Sequence, residues 1–142
     1  MPPIPKATTG LLLAFLAAWL SHGPLGGGER LIGSLEAQAR AKVAEAALPG
    51  VSARLDRDPL SRRATLSGPA NDLQREGLGS QKGVMDYVRE VPGIGPVRWS
   101  DEPRSRIVPL LAETMILAAL AYLIGLGLGW LLWGRRRRQG FA

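Results

Sequence analysis

Residues 51–68 read VSARLDRDPLSRRATLSG, and this stretch decides the fold class. Val51, Ala53 and Leu55 alternate with Ser52, Arg54 and Asp56, the period-two signature of a strand with one face in a core. Ala64, Leu66 and Gly68 alternate in the same way with Arg63, Thr65 and Ser67. Between the two runs, Asp58-Pro59-Leu60-Ser61 carries turn chemistry, since proline fixes φ and aspartate bonds to nearby backbone. The stretch predicts an antiparallel hairpin.

Upstream, Leu31, Leu35, Ala39, Val43 and Ala47 recur every four residues, with Glu36, Arg40 and Lys42 on other faces. That is an amphipathic helix, and Pro49-Gly50 stops it. The glycines before it (PLGGG) predict a flexible exit, with residues 26–30 as linker. Downstream, Asn71 stands three residues before Gln74, the spacing of a capping box, and opens a second helix that carries Leu73. Gly77, Gly79 and Gly83 weaken its middle, each by up to about 1 kcal/mol in a helix interior. It resumes through Val84, Tyr87, Val88 and Val91, ends at Pro92-Gly93, and leads into a third strand from Ile94 to Trp99. The expected fold is therefore a small α+β domain, αββαβ, over residues 31–103, a three-stranded sheet with two helices on one face. Trp99 is expected in its core or at the sheet edge.

The apolar residues concentrate at the two ends. Thr114 to Trp133 holds 20 residues without a charge, about 30 Å as a helix, the thickness of a bilayer core. A transmembrane helix is expected over residues 107–133, with Glu113 as an interfacial carboxylate and Trp130 and Trp133 in the headgroup zone. Ala121, Gly125 and Gly129 recur every four residues, a small-residue face suited to close helix packing. Ala7 to Leu20 is a shorter apolar run after Lys6. With no clean cleavage site following, residues 1–25 are expected to be a retained signal anchor or transmembrane helix, with Trp19 at the interface and His22 at the membrane exit.

The net charge of +6 is misleading until it is located. Arg135, Arg136, Arg137 and Arg138 supply four of those charges, whereas Glu29 to Arg106 is nearly balanced. Nucleic acid would need the excess on the folded surface, so it is not an expected partner. Basic residues directly after an apolar run mark the cytoplasmic side, making residues 134–142 a basic cytoplasmic tail. Two spans then put both termini in the cytoplasm and the middle outside, in the periplasm or its equivalent, a multi-pass membrane protein. With no cysteine, the chain has no disulfide, thiolate metal site, cysteine nucleophile or lipoprotein anchor. A single histidine excludes a histidine-cluster metal site.

At Ala64-Thr65-Leu66-Ser67-Gly68, a helix, and then Val91-Pro92-Gly93-Ile94-x-x-Val97, the chain resembles the BON domain (the bacterial osmotically induced periplasmic and nodulation domain). That family shows a strand ending in Leu-x-Gly, a helix, and Val-Pro-Gly-Val-x-x-Val entering the last strand. The resemblance runs from Leu31 to about Ser100. The physical logic is structural. Leu66 faces the core, Gly68 permits a sharp exit, Pro92-Gly93 turns helix into strand, and Ile94 and Val97 anchor that strand. One departure is that 22 residues separate Gly68 from Val91, more than the family pattern expects. The surplus is assigned to Gly77–Gly83 (GLGSQKG), as an inserted loop or a helix break, and is a candidate partner surface.

The resemblance implies a non-catalytic envelope module that binds phospholipid surfaces or other envelope proteins, with no catalytic residues to carry over. Arg54, Arg57, Arg62 and Arg63 around the hairpin turn are candidate headgroup contacts. The alternative is an accessory or assembly subunit of a larger inner-membrane complex, packing through its spans against a membrane-protein partner or a second copy. An enzyme is not expected. Ser67 has no histidine in the domain, and Asp56, Asp58, Asp72, Glu76, Asp86 and Glu90 sit at helix surfaces or turns beside basic residues. Neither a cofactor nor a small-molecule substrate is expected.

Overall fold

The computed structural model describes residues 3–103 and 106–134. In chain order the elements are α1 (Pro3–His22), α2 (Gly27–Glu45), β1 (Ser52–Arg57), β2 (Leu60–Ser67), α3 (Asp72–Glu76), β3 (Gly77–Leu78), β4 (Gln81–Lys82), α4 (Val84–Arg89), β5 (Val97–Trp99) and α5 (Leu110–Gly129). The chain divides into two units, Gly26–Leu110 and the two apolar ends.

Gly26–Leu110 is mixed α+β. Its sheet has the order β1-β2-β5, with β1 and β2 antiparallel and β2 and β5 parallel. Ile32, Leu35, Ala39 and Val43 of α2 and Val84, Met85 and Val88 of α4 bury one face of that sheet, through Ala53, Leu55, Ala64, Leu66, Val97 and Trp99. This is the expected αββαβ order, with the second helix split in two. Asn71 caps α3 as its sequence predicts: its side chain accepts from Gln74 N (2.8 Å) and its own N donates to Gln74 Oε1 (3.0 Å). The helix then yields to the β3–β4 ribbon and resumes as α4.

Three boundaries differ from expectation. The predicted linker at residues 26–30 is instead the first turn of α2, which starts at Gly27 and has Gly28 buried. Packing against the core stabilises a helix that its glycine content disfavours. The turn is confined to Asp58-Pro59, and Leu60 and Ser61 already belong to β2. Finally, β5 is only Val97–Trp99, because Gly93-Ile94-Gly95-Pro96 forms the approach, with Gly95 N donating to Arg62 O (2.7 Å).

The hairpin is also not uniform in phase. Leu55 pairs with Ala64, but Arg57 pairs with Leu60, so three residues of β2 stand opposite Asp56 alone. This bulge breaks the alternation, and Ser61 and Arg63 become buried together with Ala64 and Leu66. Arg63 is therefore not a surface residue: it is 2% exposed, its Nη2 donates to Arg106 O (3.2 Å) and its Nη1 lies 3.9 Å from Asp56.

The outer edge of β1 is covered from α2. Glu36, buried, accepts from Leu55 N (3.1 Å) and pairs with Arg40, whose Nε donates to Ala53 O (3.3 Å). Two backbone groups that an edge strand would offer to another chain are thus occupied.

In the other unit, α5 continues through a π-helical turn at Trp130–Gly134. Leu110–Leu132 is long and apolar enough to cross a membrane, and apart from Leu110 none of its residues is buried. Among the described residues it is the one helix that meets this test by itself. Two flanking spans were expected.

Candidate functional site

The face of the sheet turned away from α2 and α4 is open and polar. Because Ala53, Leu55, Ala64, Leu66, Val97 and Trp99 point into the core, the residues between them point out. Register places Arg54 beside Thr65 and Thr65 beside Arg98, one row across all three strands. A cleft of about 620 Å³ lies over this row, bounded by Arg40, Arg57, Asp56 and Ser100 among others.

The arginines here are held in two ways. Arg57 pairs with Glu29 (2.8 Å) and Glu36 (3.5 Å), and Arg40 pairs with Glu36. Arg98 bonds only to carbonyls, its Nη1 donating to Trp99 O (3.0 Å) and Glu102 O (2.8 Å). Among the described residues no carboxylate lies within ion-pair distance of Arg54 or Arg98. Asp56 accepts from the Thr65 hydroxyl (3.3 Å) at the end of the row.

Of the four predicted headgroup arginines, then, Arg54 faces the cleft, Arg57 is exposed but paired, Arg62 is half-buried and Arg63 is interior. Sequence reading missed Arg98. Its signal was present, since Val97-Arg98-Trp99 repeats the inward-outward-inward pattern of Ala53-Arg54-Leu55.

The glycine-rich insertion is tightly built. A Cβ on Gly83 would fall 2.4 Å from Gly77 N, and one on Gly77 would fall 2.2 Å from Gln81 O. Gly77 and Gly79 also have φ of +80° and +60°. The ribbon they allow presents Leu78, 72% exposed, at its tip. Lys82 on the ribbon bonds to Glu90 beyond α4, which holds the Glu90 carboxyl below, and the Lys82 amine above, its ordinary range. Arg75 in α3 bonds to Asp101 (2.8 Å), depressing that carboxyl, and its guanidinium lies 4.4 Å from the centre of the Trp99 ring.

The motif residues act as their chemistry suggests. Leu66 and Val91 are buried, Val97 is 8% exposed and Ile94 packs against the core. Gly68 has φ of +132°, and a methyl group there would lie 2.2 Å from Gly50 O. Pro92 is exposed, Gly93 has φ of +91°, and Ile94 N donates back to Val91 O (3.2 Å), completing the turn out of α4.

Between the apolar helices the contact is made by residues other than those expected. Tyr122 Oη donates to Ala7 O (2.5 Å), and Gly10 lies against the same ring, where a Cβ would be 2.7 Å from the hydroxyl. Ala7, Gly10, Leu11, Ala14, Phe15, Ala18 and His22 form the half-buried stripe of α1. Ala121 is exposed, and Gly125 and Gly129 have nothing within 4 Å of an added Cβ. Among the described residues, then, nothing packs closely on the small-residue face. Trp19 and Trp130 are exposed, while the Trp133 side chain and Arg135–Arg138 lie outside the described residues.

Comparisons with protein-family models, with curated proteins and with solved structures give no match to this chain.

Proposed function

We propose that this chain is a membrane-anchored, non-catalytic BON-like module of the bacterial envelope. Its α+β domain stands outside the cytoplasmic membrane and binds phospholipid or an envelope protein, and both termini lie in the cytoplasm. The observation that carries the reading is α5. Ile116, Leu117, Leu120, Leu123, Ile124, Leu128 and Leu132 are each more than half exposed, a surface that water disfavours and lipid does not. The second span is α1. At 20 residues it has the length of a bilayer core, and its outer side carries Leu12, Leu13, Leu16 and Trp19. The Tyr122–Ala7 bond supports a paired hairpin of helices, because in hydrocarbon a tyrosine hydroxyl needs a partner. The strand-to-turn motif supports the BON-like assignment through the strain that Gly68 and Gly93 relieve.

Topology tests this. Single cysteines at Ser80, exposed on the ribbon, and at Gln139 suit a chain with no cysteine of its own. An impermeant thiol reagent on intact cells is expected to label only the first. Labelling of both, or of Gln139 alone, refutes the two-span reading.

The accessory-subunit reading keeps one supporting observation. The Ala121–Gly125–Gly129 face is left open by α1, as a helix awaiting another helix would leave it.

A further inference from the structure

The row Arg54–Thr65–Arg98 gives the binding module a specific ligand chemistry. Its two arginines sit on the outer strands with a hydroxyl between them, about 10 Å apart at Cα from two strand spacings. Both line the same cleft, and two guanidinium groups of that reach can contact one small anion above Thr65. Among the described residues neither is paired with a carboxylate, in contrast to Arg40 and Arg57 at the β1 edge of the same cleft. A single guanidinium fork already fills both oxygens of a carboxylate, whereas a tetrahedral phosphate keeps oxygens for the second arginine; the Thr65 hydroxyl donates its proton to Asp56 and supplies none to the anion. Arg98 is pre-positioned, its Nη1 fixed by two carbonyls. Arg54 is exposed, with its guanidinium open to a ligand from solvent.

We propose that this open sheet face binds the phosphate of an anionic phospholipid headgroup, gripped between Arg54 and Arg98 across Thr65. The choice of a lipid over a free phosphate rests on the membrane anchoring proposed above. The domain is joined by peptide bonds to an apolar helix at each end, so headgroups are the phosphates always at hand. The cleft has the size for a headgroup and lacks the enclosed apolar walls that would hold an acyl chain.

The test uses the full chain in dodecyl maltoside, with nitrogen-15 arginine and NMR detection of the Nε–Hε signals. The probe is glycerophosphoglycerol, the deacylated headgroup of phosphatidylglycerol, with inorganic phosphate as the second arm. Saturable shifts of Arg54 and Arg98 are expected. Arg54→Gln is expected to weaken binding about tenfold, the loss of one charge-assisted hydrogen bond, and Arg89→Gln to leave it unchanged. Because Arg98→Gln also frees two carbonyls and can unsettle the fold, Arg54→Gln is the deciding variant. Absence of saturation, or equal affinity in Arg54→Gln, overturns the site. Inorganic phosphate binding at least as tightly as the headgroup overturns the lipid assignment. The titration is independent of topology, so its failure leaves the two-span reading standing, and failure of the cysteine labelling leaves the titration readable.

Discussion

Replacing Glu36 by alanine removes the group that seals the β1 edge. Glu36 is 7% exposed and lies on α2, yet its carboxylate serves the strand, accepting from Leu55 N at 3.1 Å. The truncation leaves that buried N–H without an acceptor, a loss of about 1–3 kcal/mol. It also takes the carboxylate from Arg40 and one of its two partners from Arg57, but both arginines are more than half exposed and water compensates them, adding at most about 1 kcal/mol. The sum is about 1–4 kcal/mol, or a melting point lower by roughly 5–25 °C for a unit of this size. Glu36→Gln keeps an acceptor for Leu55 N and loses only the charge, so about 1 kcal/mol is expected. Circular dichroism melts of the full chain in detergent measure both. A second readout is association. With the edge unsealed, Glu36→Ala is expected to elute partly as dimer at high concentration and Glu36→Gln as wild type. A melting point for Glu36→Ala within 2–3 °C of wild type, less than about 1 kcal/mol, would show that the edge is not sealed by this residue.

Gly68→Ala places a methyl group 2.2 Å from Gly50 O at a φ of +132°, and a loss of about 3 kcal/mol or more is expected in urea unfolding. Tyr122→Phe removes the hydroxyl that bonds Ala7 and should loosen the α1–α5 pair by about 1 kcal/mol, read as a lower yield of a disulfide engineered between the helices. Acid and alkali should both weaken the Lys82–Glu90 link. The Glu90 and Asp101 carboxyls are depressed, so their contribution is present above the ordinary carboxylate range, near pH 4, and lost as pH falls through their folded values. The Lys82 amine is raised, so its contribution is present below about pH 10 and lost above it. Glu90→Gln should flatten both flanks of the melting-point profile, and Asp101→Asn only the acid flank.

The elements that could be read from the chain alone are those whose signal is local. Alternation placed β1, the Asn71–Gln74 spacing placed the start of α3, and Pro92-Gly93 placed the end of α4. What escaped depends on residues distant in sequence. A fixed period of two cannot anticipate the β2 bulge, so Arg63 read as a surface charge although the fold buries it. Glu36 read as a solvent-facing charge because its partner, Leu55, is 19 residues away. The glycines at the start of α2 read as linker, since propensity knows nothing of the core that Ile32 and Leu35 reach. Within the candidate site, Arg54 was legible as an outward residue, whereas its pairing with Arg98 needed the parallel register of β2 and β5.

The ribbon has a practical consequence. Because Gly77 and Gly83 touch, the segment between them leaves the helical layer and re-enters it at one point. Anything hung there is a closed excursion, and doubling its length costs only about 0.6 kcal/mol of closure entropy. Residues 78–82 are therefore a natural handle, where a reporter peptide can be spliced in without the rest of the fold registering the change.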